Sequence, residues 1–359
     1  MKLTLVIKLD PTPEQHKALL ETLEAFNSAC NHIAEVAFQH RCANKYVLQK
    51  FVYRAVRERF GLSAQMAIRA ISKVVEAYKR DKSTKPTFKL HGSMVYDQRI
   101  YSFKGVDRVS LLTLQGRIIV PILFGPYQAA RMDLKRGQCD LIYRDGSFYL
   151  SVSVDAPEPT PIEPIDFIGV DLGIVNVASD SDGQTYSGGK MNGIRNRYAK
   201  LRAKLQCKGT KSAKRLLKKR RRKEQRFAKD TNHIISKTLV AKALDTSRGI
   251  ALEDLTGIRD RITVRKAQRR TQHSWAFSDL RAKIEYKARL AGIPVILVDP
   301  RNTSRTCPMC GLIDKRNRPS QSLFSCISCG FAGPADVIAA GNIARRARVM
   351  VPHAVSLST

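Results

Sequence analysis

Four of the eight cysteines in this 359-residue chain fall into two pairs with the spacing of a metal shell. Cys307-Pro308-Met309-Cys310 and Cys326-Ile327-Ser328-Cys329 are each C-x2-C, fifteen residues separate them, and a glycine follows each. Two intervening residues let both thiolates of a pair turn onto one ion, and four thiolates close a tetrahedral shell with bonds of about 2.3 Å. Such a shell has no open position, so structural zinc is expected at Cys307, Cys310, Cys326 and Cys329. The other four, Cys30, Cys42, Cys139 and Cys207, lack ligand spacing and read as buried or incidental thiols.

A second constellation is acidic. Asp171 closes the apolar run from Phe167, Glu253 closes the run from Gly249, and Asp336 opens a helical segment running to Ile343. Buried strands do not normally end in inward-facing acids without a cation partner. Two divalent ions about 3.5 to 4 Å apart, held by such carboxylates, activate a water and stabilise the leaving oxygen of a phosphodiester. Magnesium suits an all-oxygen site. Asp171, Glu253 and Asp336 are therefore candidate catalytic and magnesium-binding residues. Asp254 adjoins Glu253, but strand alternation admits only one of the two to the site. Asp180 and Asp182 lie in Ser179-Asp180-Ser181-Asp182-Gly183, whose composition reads as a hairpin turn.

Charge supplies the partner. Lys and Arg number 63 against 31 Asp and Glu, a formal net charge of +32, which calls for a polyanion. Seventeen basic residues fall between Arg195 and Lys229 against one acid, Glu224, and Lys218, Lys219, Arg220, Arg221, Arg222 and Lys223 are consecutive. That run is too one-sided for internal pairing and reads as a nucleic-acid surface, with affinity falling steeply with salt. There is no apolar run of membrane-spanning length and the N-terminus lacks a signal-peptide core, so a cytoplasmic protein without a membrane partner is expected.

The elements that must position these groups divide the chain. A strand at Lys2–Leu9 precedes helical periodicity over Glu14–Arg41, Tyr46–Arg59 and Ser63–Lys79. Short β-rich runs with glycine turns then fill residues 87–154 and predict a small antiparallel barrel that the first strand joins. The proline-rich stretch Ala156–Pro164 marks a boundary. Beyond it, strands at Phe167–Asp171, Val175–Ser179, Gln184–Ser187, Gly249–Glu253 and Pro294–Val298 alternate with helices at Ile194–Leu205, Ser212–Leu244, Phe277–Leu290 and Asp336–Ala347. This is the α/β pattern of an RNase H-like sheet.

The segments Gly169–Asn176, Leu252–Leu255, Tyr286–Ala288, Val298–Pro300 and Thr303-Ser304, the two cysteine pairs and Asp336–Ile343 resemble the TnpB (OrfB) family of transposon-encoded proteins, related to type V CRISPR effectors. The match covers residues 165–347; the N-terminal half matches in layout, with Glu76–Lys79 as a local echo. The resemblance implies a multidomain protein: a wedge-like β-barrel at 1–10 and 83–160, a helical recognition lobe at 11–82, a RuvC-like nuclease domain at 165–302 and 335–348, a zinc-finger insertion at 303–334 and a tail at 349–359. It implies an RNA-guided, Mg2+-dependent DNA endonuclease acting through Asp171, Glu253 and Asp336, a monomer with one guide RNA, cutting double-stranded DNA beside a short adjacent motif. In a prokaryotic cell it would be nucleoid-associated when bound to DNA.

One departure stands out: the family usually has Asp-x-Asn-Ala-Ala, whereas Ile338 replaces the asparagine here. A guide-dependent binding protein or repressor with silenced cleavage is the alternative, and a guide-free zinc protein that binds nucleic acid is a third. Tyr53, Ser63, Gln65 and Arg69 are candidates to read the adjacent motif, since Gln and Arg make bidentate contacts to base edges. His233 reads as a structural helix residue, and Trp275 and Phe277 as core anchors.

Overall fold

The computed structural model describes residues 1–134, 136–220, 222–256 and 277–351, and divides into two compact units, Met1–Pro157 and Glu158–Thr359. Arg221, Trp275 and the segment 352–359 lie outside the described residues, as does the side chain of Phe277. No described helix is long and apolar enough to cross a membrane.

In the first unit, β1 (Lys2–Leu9) is followed by α1 (Pro13–Gln39), α2 (Lys45–Phe60) and α3 (Ala64–Arg80). Local chemistry sets the helix starts. Thr12 and Gln15 form a capping box before α1, Asn44 caps α2 and Ser63 caps α3, satisfying amide donors that have no partner within the helix. Ser63 is thus a cap. Strands β2 (Met94–Tyr96), β3 (Tyr101–Lys104), β4 (Arg108–Thr113), β5 (Gly116–Leu123), β6 (Arg136–Arg144) and β7 (Ser147–Asp155) follow, with a short α4 (Pro126–Ala129) before β6. The sheet order is β2-β6-β7-β1-β5-β4-β3, so β1 sits centrally, antiparallel to β5 and β7. Its two edges approach one another: Tyr101 on β3 donates to the carbonyl of Gly137 on β6, and Tyr96 on β2 donates to that of Leu112 on β4 at 2.9 Å. The result is a nearly closed barrel, whose inward residues share one core with the apolar faces of α1 to α3.

The second unit carries a five-stranded sheet in the order β10-β9-β8-β11-β12, formed by β8 (Phe167–Asp171), β9 (Asn176–Asp180), β10 (Thr185–Ser187), β11 (Gly249–Glu253) and β12 (Val295–Val298). β8, β11 and β12 are parallel, and β8, β9 and β10 are antiparallel. Helices α5 (Gly189–Lys208), α6 (Lys211–Arg220) and α7 (Lys223–Asp245) lie between β10 and β11; α8 (Phe277–Leu290) precedes β12, and α9 (Ala335–Met350) closes the unit. The periodicity across Ser212–Leu244 predicts one helix, but Arg222 adopts φ 70° and splits it into α6 and α7. α9 also runs past Val349, where the tail is expected to begin. Asp180 opens the expected hairpin turn between β9 and β10, its carbonyl accepting from the amide of Gly183 at 3.1 Å. It ends β9, is fully buried, and its carboxylate accepts from Lys242 Nζ at 2.6 Å.

Candidate active site and metal centre

Register brings the acids together. Leu252 pairs with Val170 across the parallel strands β11 and β8, so the next residues, Glu253 and Asp171, leave adjacent strands at the same end of the sheet. Neighbouring strands lie about 4.8 Å apart, so the two carboxylates are neighbours by construction. Asp336, in the first turn of α9, is placed by how closely that helix approaches β8. Gly169 makes the approach possible: a Cβ there would lie 1.9 Å from the carbonyl oxygen of Ala340 and 2.6 Å from the nitrogen of Ala344. No side chain fits between strand and helix.

The electrostatics agree with this placement. Burial, then the charges of Glu253 and Asp336, push the Asp171 carboxyl up to about 7, while Arg318 draws it down. Burial likewise raises Glu253, which accepts a hydrogen bond from Thr303 Oγ1. Asn176 Nδ2 donates to Asp336 Oδ2 at 2.9 Å and Arg318 Nη2 donates to Oδ1 at 3.0 Å. Asp254 points away, exposed and paired with Arg281 at 2.9 Å, as strand alternation requires. A buried acid whose proton affinity is lifted by burial and by like-charged neighbours favours a cation beside it, and carboxylate oxygens suit a hard divalent ion.

The cysteines form the second cluster. All four Sγ atoms lie within 4.8 Å of one another, with Cys307 to Cys329 and Cys310 to Cys326 both at 3.5 Å. These separations far exceed a disulfide bond and bracket the edge of about 3.8 Å in a thiolate tetrahedron with 2.3 Å bonds. Each pair turns in the same way. Gly311 and Gly330, at φ 76° and 73°, send their amides back to the carbonyls of Cys307 and Cys326 at 3.0 and 3.1 Å. The site fits zinc. The hairpin β13 (Leu323–Ser325) and β14 (Ala332–Pro334) leads directly into α9. Ile338 faces this side: it is 9% exposed and packs with Cys307, Phe324, Cys326 and Ala335. Asn342, also buried, donates to the carbonyls of Thr303 and Thr306, both at 2.8 Å, and so ties the other end of the insertion to α9.

The expected nucleic-acid residues fare differently. Gln65 and Arg69 meet at one carboxylate: Arg69 Nε and Nη2 donate to Asp97 Oδ2 at 2.8 and 2.6 Å, and Gln65 donates to the same oxygen. Arg99 Nη1 reaches Gln65 Oε1 at 3.3 Å, and all four residues line a cavity of about 810 Å3. Tyr53 does not line it; its ring is half-buried under the Arg57 guanidinium. Lys218, Lys219 and Arg220 end α6, Arg222 forms the break and Lys223 begins α7. His233 is exposed on α7, and of the thiols read as buried or incidental Cys30 and Cys139 are buried while Cys207 is exposed. Sequence reasoning missed Arg318, Asn176 and Asp97, each isolated along the chain from the groups it serves.

Two family models match the chain: one described as a probable transposase over residues 149–256, and one described as Cas12f1-like, TNB domain, over residues 277–343. Together they span both strand-end acids, both cysteine pairs and Asp336. Over these residues the chain is similar to the TnpB and type V effector family. Among its relatives, the CRISPR-associated endodeoxyribonuclease Cas12f1 of Sulfoacidibacillus thermotolerans is 33% identical over 62% of this chain and 54% of that protein. A TnpB-like protein of Methanocaldococcus jannaschii is 36% identical over 44% of this chain and 58% of its own length. A putative RNA-guided DNA endonuclease, InsQ, of Escherichia coli is 27% identical over 55% and 53%. The chain thus spans little more than half the length of these curated relatives. The Cas12f1 chain solved with sgRNA and target DNA superposes with a TM-score of 0.66 at 13% identity, over 96% of this chain and 98% of that one, a likeness of fold.

Proposed function

We propose that the protein is an RNA-guided DNA endonuclease whose RuvC-type site is formed by Asp171, Glu253 and Asp336. The observation that carries this reading is the convergence of three carboxylates from β8, β11 and α9, two of them buried enough to lift their proton affinity. The names of the relatives support RNA guidance and DNA as substrate. These carboxylates would hold magnesium, which supplies water activation and stabilisation of the leaving oxygen of a phosphodiester. The chain's own residues prepare that site. Thr303 orients Glu253, Asn176 orients Asp336, and Arg318 sets a fixed positive charge beside Asp336 that also lowers Asp171. The four-cysteine insertion carries Arg318 and leads into the helix that bears Asp336, so zinc would act on cleavage through position.

Ile338 motivates the rival reading of a cleavage-silent binder. Its burial against Phe324 and Cys307 favours cleavage instead, because the side chain belongs to the packing of the insertion. The deciding experiment purifies the protein with its co-expressed RNA and incubates it with matched DNA and Mg2+. Asp171→Ala is expected to lower cutting on the order of 100-fold or more, the scale at which even supporting residues of metal sites matter, with DNA binding retained. No cutting by the unmutated complex would sink the proposal.

A further inference from the structure

The basic helices enclose a space as well as presenting a surface. Between α5, α6, α7 and the start of α8 lies a cavity of about 800 Å3. Its wall is of two kinds. Leu201, Leu205, Leu217 and Tyr198 line it together with Arg195, Arg202, Lys218, Arg220, Arg222 and Lys229. Two acids oppose these six cations, and both are already engaged. Glu224 accepts from Arg202 at 3.1 Å, and Asp279 accepts from Asn232 at 2.8 Å and from Lys283. Lys218, Arg220 and Arg222 form no ion pair among the described residues. Arg195 is only 9% exposed. A smaller cavity of about 270 Å3 shares Tyr198, Leu201 and Arg220 with the first, so these residues border both.

Contacts to a duplex backbone need cations along a surface and have no use for an aromatic ring and three leucines inside a concavity. A concavity lined by apolar side chains, one aromatic ring and several cations suits an unstacked base whose flanking phosphates meet the cations. We infer that this cavity binds an unstacked nucleotide of a single strand, its base against Tyr198 and Leu201 and its phosphates at Lys218, Arg220 and Arg222. The inference rests on the nucleic-acid partners proposed above and is independent of whether the acids cut. A guide RNA and an unwound DNA strand offer the same chemistry, so the ligand is defined as a single-stranded nucleotide.

The test uses the full-length protein, stripped of nucleic acid and loaded with zinc, and fluorescence anisotropy. Its probes are an oligo-U RNA, an oligo-dT DNA and a DNA duplex, each about twelve nucleotides long, within the site size of single-strand binders. Tyr198→Ala is expected to weaken single-strand binding about 5- to 150-fold, the range for losing one aromatic stack, and to leave duplex binding within about twofold. Tyr198→Phe should bind single strands as the unmutated protein does. Stronger effects on RNA would name the guide as the source, and on DNA the unwound strand, both in support. Unchanged single-strand binding by Tyr198→Ala, or an equal loss on duplex and single strands, overturns the inference. If Tyr198→Ala unfolds early, photocrosslinking of the unmutated protein to a strand bearing 5-iodouracil decides instead. A crosslink at Tyr198 supports the pocket, and crosslinks confined to exposed residues such as Lys200 and Lys204 overturn it.

Discussion

The acid cluster of the second unit and the Gln65–Arg69–Asp97 cluster of the first are assembled by different means. Asp171 and Glu253 are where they are because two parallel strands pair in one register, and Asp336 because α9 presses on Gly169. Backbone geometry places all three, and side chains only trim them. Gln65 and Arg69 sit one turn apart on α3, yet what organises them is Asp97, which follows β2 and comes from a segment remote in sequence. The first kind of site follows from pattern and period; the second depends on a partner that no local pattern announces.

Four substitutions can break or sharpen this contrast. The largest effect is expected from Gly169→Ala, because its Cβ would meet backbone atoms that cannot yield. The second unit should lose about 3 kcal/mol or more, the upper range for overpacking, as measured by urea unfolding. A midpoint equal to that of the unmutated protein would show that backbone approach does not place Asp336.

Next comes Cys326→Ser, expected to lower bound zinc and to reduce cleavage about tenfold or more while DNA binding changes less. Equal losses of both activities in a folded protein would count against a role in delivering Asp336 and Arg318. A smaller change is predicted for Asp97→Asn, which keeps shape but removes the charge shared by Arg69 and Gln65. The first unit should lose about 1–2 kcal/mol, and discrimination among adjacent DNA motifs should relax. Full discrimination in this variant would count against a motif-reading role for Gln65 and Arg69 held in place by Asp97.

The smallest effect concerns Asp182, a pair set by side chains within the backbone-built unit. Arg248 donates to both its oxygens, at 2.9 and 2.6 Å, and holds the carboxyl below its usual range, with Lys242 helping. A depressed folded value stabilises the protein above the unfolded value and loses that contribution as pH falls through the folded one. The melting advantage over Asp182→Asn should therefore be constant above about pH 5 and shrink as acid protonates the carboxylate. An advantage that stays level down to about pH 2 would remove the ion pair as its cause.

Particular residues show why some of this was legible. Glu253 was separable from Asp254 by alternation alone, and the structure leaves Asp254 exposed on Arg281. The break at Arg222 was not legible, because helical periodicity and charge run unbroken through it. Ile338 looked like a missing polar neighbour of Asp336, whereas its contacts are with the cysteine insertion, a fact that requires knowing which face of α9 meets which segment.

Short-range covalent spacing and strand period are properties of the chain itself, so the amino-acid order alone determined the four-thiolate cluster, the two strand-end acids and the polyanion-directed charge. What only the tertiary structure decided were the contacts made across long separations. Arg318 reaches Asp336, Thr303 reaches Glu253, Asp97 gathers Gln65 and Arg69, and Tyr198 with its leucines turns a basic run into a cavity. Each needs two segments brought together by packing, and burial of apolar surface has no local signature from which that pairing could be read.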